Sequence, residues 1–326
     1  MPSNRPLLIC LTATRNYGWV TRAFLKANSQ WADYIIVVDQ MSTDGTQEMC
    51  AEYEKVILIE DHDLSYSETR RSTLAINRAR EIEGDKILIN LDIDEVLPAN
   101  WMETNDGQRI LNSKPGDMFV LFWANILPDK KHFKSENDAL YRVFHDDGIS
   151  KFDNQGRDMH TYCLPWCPTK KEVFVYDFPI LHFGIYNTSF QFVKRWYYYQ
   201  MVDYDLNHRS AVSLSRFYRK AIPYQATSTD QEIKTTWLWN DFDIFSQIEC
   251  NAPLLLWQEI RRFIEKNGTS HYQKLDIWDQ EFIRQVDVQD PRSLLYKALH
   301  FYLRATESCR KSIPVRVIDK LLKRFV

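Results

Sequence analysis

The first hundred residues switch between two hydrophobic rhythms. Residues 7–12, 34–39, 56–60 and 87–91 are continuous apolar runs of strand length. Such runs suit strands covered on both faces, which need not alternate. Between them, residues 17–28, 47–53 and 65–81 carry apolar positions at helical spacing, as in Trp19-Val20, Ala23-Phe24 and Ala27. Ser67, followed by Glu68, is an expected N-cap for the third helix. Strand, helix, strand, repeated, predicts βαβ units, right-handed crossovers and a parallel sheet.

After Pro98 the pattern changes. Residues 118–123 and 139–144 read as aromatic-rich strands divided by a polar loop at 128–138. Residues 148–162 form a second polar loop, and 173–176 and 180–183 read as short strands. The remainder is predicted mostly helical: 189–207, then 254–266 with Leu255, Ile260 and Ile264 on one stripe and Asn267-Gly268 as its stop, then 292–310. A basic amphipathic tail, 315–326, ends the chain. No repeat or low-complexity segment is evident. The expected division is an α/β domain at 1–215 and a helical region at 216–326.

Carboxylates punctuate the strand ends. The fourth run leads into Asp92-Ile93-Asp94-Glu95, and the second ends at Asp39. Open α/β sheets bind ligands at these ends. In extended backbone, Asp92 and Asp94 would point to one side; the plainer alternative is a strand that runs into a polar loop, with Glu95 starting a turn before Pro98. Clustered carboxylates repel unless a proton or a cation joins them. A divalent metal that also holds phosphate oxygens is such a cation.

Composition narrows the classes. At 326 residues the chain can bury a sizeable core, and its formal net charge of -3 argues against a general nucleic-acid binder. Aromatic residues make up 14% of the chain, enough for both a core and a stacking surface for sugars. The six cysteines are scattered and imply neither a disulfide framework nor a zinc site. No apolar run approaches the length of a membrane span, and the start lacks a secretory apolar segment, so a cytoplasmic location is expected. The sequons at Asn187 and Asn267 are then read as chance matches.

Four motifs in order, Thr14-Arg15-Asn16, Val37-Val38-Asp39-Gln40-Met41-Ser42-Thr43-Asp44-Gly45-Thr46, Glu68-Thr69-Arg70-Arg71 and Leu91-Asp92-Ile93-Asp94-Glu95, resemble the family 2 glycosyltransferases of GT-A fold. The resemblance covers roughly the first hundred residues. Tyr141-Arg142-Val143-Phe144 and Leu181-His182-Phe183-Gly184 resemble later, looser marks of that family. It implies a mostly parallel sheet flanked by helices, with residues 1–97 as the nucleotide-binding half and 98–215 as the acceptor half. It also implies a nucleotide-sugar donor, Mn²⁺ or Mg²⁺, and an inverting transfer to a glycan or lipid-linked glycan, as in polysaccharide biosynthesis. On this resemblance Thr12, Thr14, Arg15 and Asp39 line the base and ribose. Arg70 or Arg71 meets the diphosphate, Asp94 binds the metal, Asp92 holds the donor or reaches the metal through water, and His182 is a candidate third ligand. Gly45 and Asp44 are assigned structural roles. The catalytic base is sought in the polar loop at 148–162, where Asp158 leads Asp153 and His160.

Two features stay open. Arg195-Trp196-Tyr197-Tyr198-Tyr199, with Tyr204, fits an acceptor platform or plain core. The tail places Ile318, Leu321, Leu322 and Phe325 on one helical face among basic residues. That face fits peripheral membrane contact or ordinary packing. Two rival functions are a transferase-like scaffold that binds glycans without turnover, and a sugar-nucleotidyltransferase. The second would want a Gly-rich basic loop after the first strand, which residues 12–18 lack.

Overall fold

The computed structural model describes residues 5–152, 163–165, 172–219, 230–250 and 253–324. Two compact units emerge, one of Met1–Asn187 with Ala226–Cys250 and one of Thr188–Gln225 with Asn251–Val326. The expected boundary at 215 falls inside the second unit, and Ala226–Cys250 belongs to the first.

The first unit opens with β1 (Leu7–Thr14), α1 (Gly18–Asn28), β2 (Tyr34–Asp39), α2 (Thr46–Ala51), β3 (Val56–Glu60), α3 (Glu68–Arg80) and β4 (Lys86–Asn90). Each of these elements was expected within a few residues. Ser67 caps α3, its hydroxyl accepting from the Arg70 N–H. The strands lie parallel in the order β3-β2-β1-β4. Period-two alternation splits their apolar residues between two cores. Leu8, Cys10, Ile35, Val37, Ile87 and Ile89 pack on one face with Phe24 of α1. Ile9, Leu11, Ile36, Val38 and Leu88 pack on the other with Ala75, Ile76 and Ala79 of α3. Burial on both faces is why these strands are apolar throughout.

The later strands make the sheet mixed. β5 (Glu95–Val96) is followed by α4 (Asn105–Leu111), β6 (Met118–Ile126), β7 (His132–His145), β8 (Glu172–Phe174), β9 (Ile180–His182) and β10 (Gln231–Glu232). β7 joins β4 antiparallel and β6 joins β7 antiparallel, while β9 runs parallel to β6 and antiparallel to β5. The result is a mixed sheet flanked by helices. Three expectations are corrected. Most of the polar stretch at 128–138 is strand, because an exposed hairpin arm needs backbone pairing rather than apolar side chains: Ser135 pairs with Ala124 and Lys134 with Asn125. Asp92 to Asp94 is not extended, because the Glu95 N–H closes a turn onto the Asp92 carbonyl at 2.8 Å. Glu95 itself then begins a strand rather than a turn.

The second unit is helical: α5 (Thr188–Phe192), a π-helical stretch (Val193–Tyr198), α6 (Tyr199–Asn207), α7 (Ala211–Tyr218), α8 (Leu254–Asn267), α9 (Gln280–Val286), α10 (Leu294–Ala305) and α11 (Ile313–Leu322). Trp196 and Tyr197 are buried in its core with Trp257, Ile260, Trp278 and Phe282, and Tyr198, Tyr199 and Tyr204 pack against that core. The aromatic run is therefore core. α8 stops at Gly268, whose positive φ of 79° releases the chain. α10 is shorter than expected. Pro314 lies in the first turn of α11.

Candidate functional site

The C-terminal ends of β1 and β2 build the first part of the site. Thr14 lies opposite Asp39 in the parallel register. Alternation puts Thr12, Thr14 and Asp39 on the face that Cys10 and Val37 occupy lower in the sheet. All three are buried. Asp39 Oδ2 accepts from the Ser42 N–H at 2.9 Å and from Gln47 Nε2 at 2.5 Å. Asp39 Oδ1 and the hydroxyls of Thr12 and Thr14 have no hydrogen-bond partner among the described residues. Buried polar atoms are nearly always paired, so three such atoms together suit a polar ligand. Arg15, the next residue, donates from Nη1 to the Gln40 carbonyl at 2.9 Å.

Two loops hold this edge in shape. Ser42 Oγ accepts from the Asn16 N–H at 2.8 Å, and Asn16 Oδ1 accepts from the Thr43 N–H at 2.9 Å. Asp44 Oδ2 accepts from the Gly18 N–H at the start of α1, and its Oδ1 accepts from the Thr46 hydroxyl, each at 2.6 Å. Gly45 turns at φ 87° ahead of α2. Asp44 and Gly45 are thus structural, as their turn chemistry implied.

The second part follows β4. Asp92 and Asp94 flank the turn, Asp92 exposed and Asp94 buried. β5 pairs Glu95 with His182, and β6 pairs Asn125 with the same histidine. Three strands thereby bring Asp94, Glu95, Asn125 and His182 together. His182 Nε2 lies 3.7 Å from Asp94 Oδ2. Its Nδ1 is 2.6 Å from Asn125 Oδ1, and its ring stacks on Trp123 with centroids 4.9 Å apart. An amide oxygen on Nδ1 favours a proton there and leaves Nε2 facing Asp94. Burial opposes a charged imidazole, but the neighbouring Asp94 carboxylate, helped by Glu95 and Asp92, raises its pKa above the ordinary value.

Arg142 of β7 is the residue that motif reading left without a role. It is nearly buried and donates to Asn90 Oδ1 at 3.2 Å, Asp92 Oδ2 at 3.0 Å and Glu95 Oε1 at 2.8 Å. Burial works against its charge, and the Asp92 and Glu95 carboxylates more than offset this. Glu95 is fully buried and takes two more bonds, from Trp123 Nε1 at 2.6 Å and the Asp92 N–H at 2.9 Å. Burial, reinforced by Asp92 and opposed by Arg142, pushes its pKa up to about 7. Arg142 and Glu95 form the scaffold that sets the Asp92–Asp94 turn.

The remaining expected residues divide. Arg70 gives all its N–H donors to Asp61, Asp63 and Ser65, fixing the loop between β3 and α3. Arg71 lies over the Tyr66 ring at 4.9 Å and donates to the Ser67 carbonyl. Asp153, Asp158 and His160 lie outside the described residues.

Among the described residues, no group of three or more His, Cys, Asp and Glu side chains is placed to hold a metal ion. Asp94 and His182 alone offer an oxygen and a nitrogen across a 3.7 Å gap, wider than a hydrogen bond. Mg²⁺ and its relatives are commonly held by one or two protein groups plus substrate phosphates and water. The pair fits that kind of site, and Nε2 favours Mn²⁺ over Mg²⁺.

Among solved structures, the chain is similar to the glucosyl-3-phosphoglycerate synthase of Mycobacterium tuberculosis, in complex with Mn²⁺, uridine diphosphate and glucosyl-3-phosphoglycerate. The identity is 16% over 37% of this chain and 45% of that one, with a TM-score of 0.27. The match thus spans less than half of the synthase. S. aureus TarS is 11% identical over 96% of this chain and 55% of that one, with a TM-score of 0.43. Its 1–349 form is 11% identical over 98% and 92%, with a TM-score of 0.39. No family model and no curated protein matches the chain.

Proposed function

We propose that the chain is a metal-dependent glycosyltransferase. In this reading it moves a sugar, with inversion, from a nucleoside diphosphate to a hydroxyl of a glycan or lipid-linked glycan. The observation that carries the proposal is the pairing of two adjoining sites on one sheet edge. The three partnerless buried oxygens of Thr12, Thr14 and Asp39 suit a base and ribose, and the Asp94–His182 pair suits a cation. Leu11 pairs with Asn90, so the β1 end and the carboxylate turn adjoin.

In this account Asp39 Oδ1 accepts from a base N–H, as carboxylates do. Thr12 and Thr14 offer hydroxyls to the base and ribose beside it. Arg15 lines the same end. With Arg70 committed to its own loop, Arg71 is the proposed diphosphate contact. Asp94 and His182 would hold Mn²⁺ or Mg²⁺. The bound cation would stabilise the charge that develops on the leaving diphosphate. Asp92, steered by Arg142, would orient the donor. Asp158 is the proposed general base that takes the acceptor hydroxyl proton as the anomeric carbon is attacked, with Asp153 and His160 the alternatives. Peripheral membrane contact through α11 would keep the chain at the surface that carries a lipid-linked acceptor.

The test is a thermal-shift screen of nucleoside diphosphate sugars with Mn²⁺ and with a chelator. A donor that raises the melting temperature only with Mn²⁺, and is turned over with an acceptor, supports the proposal. Stabilisation by a donor regardless of metal, or by none, contradicts it. Donor binding without turnover or hydrolysis would favour the scaffold reading.

A further inference from the structure

The helical unit contains an open basin of about 530 Å³, far richer in cations than in anions. Its base is Arg216 of α7, which is fully committed. Arg216 binds Asp319 of α11 through Nε and Nη2, Glu307 and the Leu303 carbonyl through Nη1, and the Thr306 hydroxyl through Nη2. Glu307 also takes Arg310 at 2.7 Å, and Tyr302 donates to Asp319 at 3.0 Å. The acidic groups at the base are therefore already matched. Arg209, at the side, is bound to Asp203 at 2.8 Å and lies over the Phe217 ring.

Three further lining residues, Lys311, Arg316 and Lys323, are exposed and have no ion pair among the described residues. Arg316 of α11 and Lys323, the residue that caps its C-terminus in helical conformation, are seven apart and so share a face, and Lys311 stands just before that helix. Like charges held around one hollow repel. An anion seated among them removes the repulsion and gains charge-assisted hydrogen bonds. A phosphate suits the combination of a guanidinium and two ammonium groups, which offers donors from several sides. Solvated surface lysines would need no shared concavity, whereas these converge on one.

A second feature of α11 adjoins the basin. Ile313, Val317 and Leu321 recur at every fourth residue and are exposed, a stripe turned roughly a quarter-turn or more from the lining residues. The inward side of α11 is carried by Val315 and Asp319, with Leu322 packed against Leu299 and Leu303. The helix is thus docked on its own unit and still presents both cations and an apolar stripe.

We infer that this basin binds a phosphate group, from a lipid headgroup or from a soluble phosphate ester. The apolar stripe provides the means by which a membrane surface would present the first. The site lies wholly within the helical unit and goes beyond the proposed transfer reaction, so its failure would leave that reaction untouched.

The experiment compares the full chain with the variant Arg316→Glu/Lys323→Glu. One arm measures co-sedimentation at low salt with vesicles of phosphatidylglycerol and phosphatidylcholine, against phosphatidylcholine alone. The other titrates glycerol phosphate by calorimetry. The wild type is expected to bind at least one probe, and the variant to bind it at least roughly tenfold more weakly at an unchanged melting temperature. Binding of the anionic vesicles alone assigns the lipid source, and binding of glycerol phosphate assigns the soluble one. Lys320→Glu, on α11 but outside the basin lining, should bind nearly as the wild type does. If the double reversal unfolds the protein, Lys311→Ala/Lys323→Ala is judged by the same criterion. The inference is overturned if neither probe binds, if the basin variants bind as tightly as wild type, or if Lys320→Glu loses as much as they do.

Discussion

At the residue scale, Arg142 has the largest predicted structural effect. It is the cation that lets Glu95, fully buried, sit beside Asp92. Removing one partner of such a pair leaves the other charge in a low dielectric, a loss of about 3–5 kcal/mol. Arg142→Met should therefore cost about that much in denaturant unfolding, and a loss under about 1 kcal/mol would show that the pair is not a scaffold. Asp158→Asn keeps shape and removes basicity. It should lower turnover roughly 10²-fold or more with donor affinity little changed, and equal losses in both would remove Asp158 as the base. What the sequence showed at this scale follows from distance along the chain. Asp44 and Gly45 sit in one short motif whose turn chemistry is local, and their structural roles were legible. Arg142 acts on Asn90, Asp92 and Glu95 about fifty residues away, and Asn125 fixes His182 across a similar gap. Spacing carries no trace of such pairs, and only the resemblance singled out His182.

At the element scale, the loop from β1 to α1 and the loop from β2 to α2 act as one stitched edge. Gly18 is where they come closest. A Cβ there would lie 2.8 Å from the Asp44 carbonyl oxygen. That neighbour is backbone and cannot swing away, so Gly18→Ala should cost about 1–3 kcal/mol. It should also weaken donor binding, because the same loop carries Arg15 and follows Thr14. Chemical denaturation and donor titration check the two effects, and a variant as stable as wild type would mean that the loops are not stitched as described. The βαβ elements were legible because burial on both faces dictates continuous apolar runs. The polar start of β7 was not, since its pairing with β6 is a backbone matter that side-chain pattern does not report. The aromatic run at Trp196 and Tyr197 fitted both core and platform until its packing partners Trp257 and Phe282, far along the chain, were known.

At the scale of the whole molecule, chemistry and packing are divided between the two units. Every described candidate site residue belongs to the α/β unit, and the phosphate basin belongs to the helical one. No described helix is long and apolar enough to cross a membrane. The central claim is that Asp94 and His182 hold a cation that carries the donor's diphosphate. Calorimetric titration of the wild type and of Asp94→Asn with the donor identified in the screen, with and without Mn²⁺, tests it most directly. The substitution keeps the buried shape and removes the charge, so the variant should fold normally. The account predicts Mn²⁺-dependent binding by the wild type and loss of that dependence in Asp94→Asn. Undiminished Mn²⁺-dependent binding by a folded Asp94→Asn protein would contradict it.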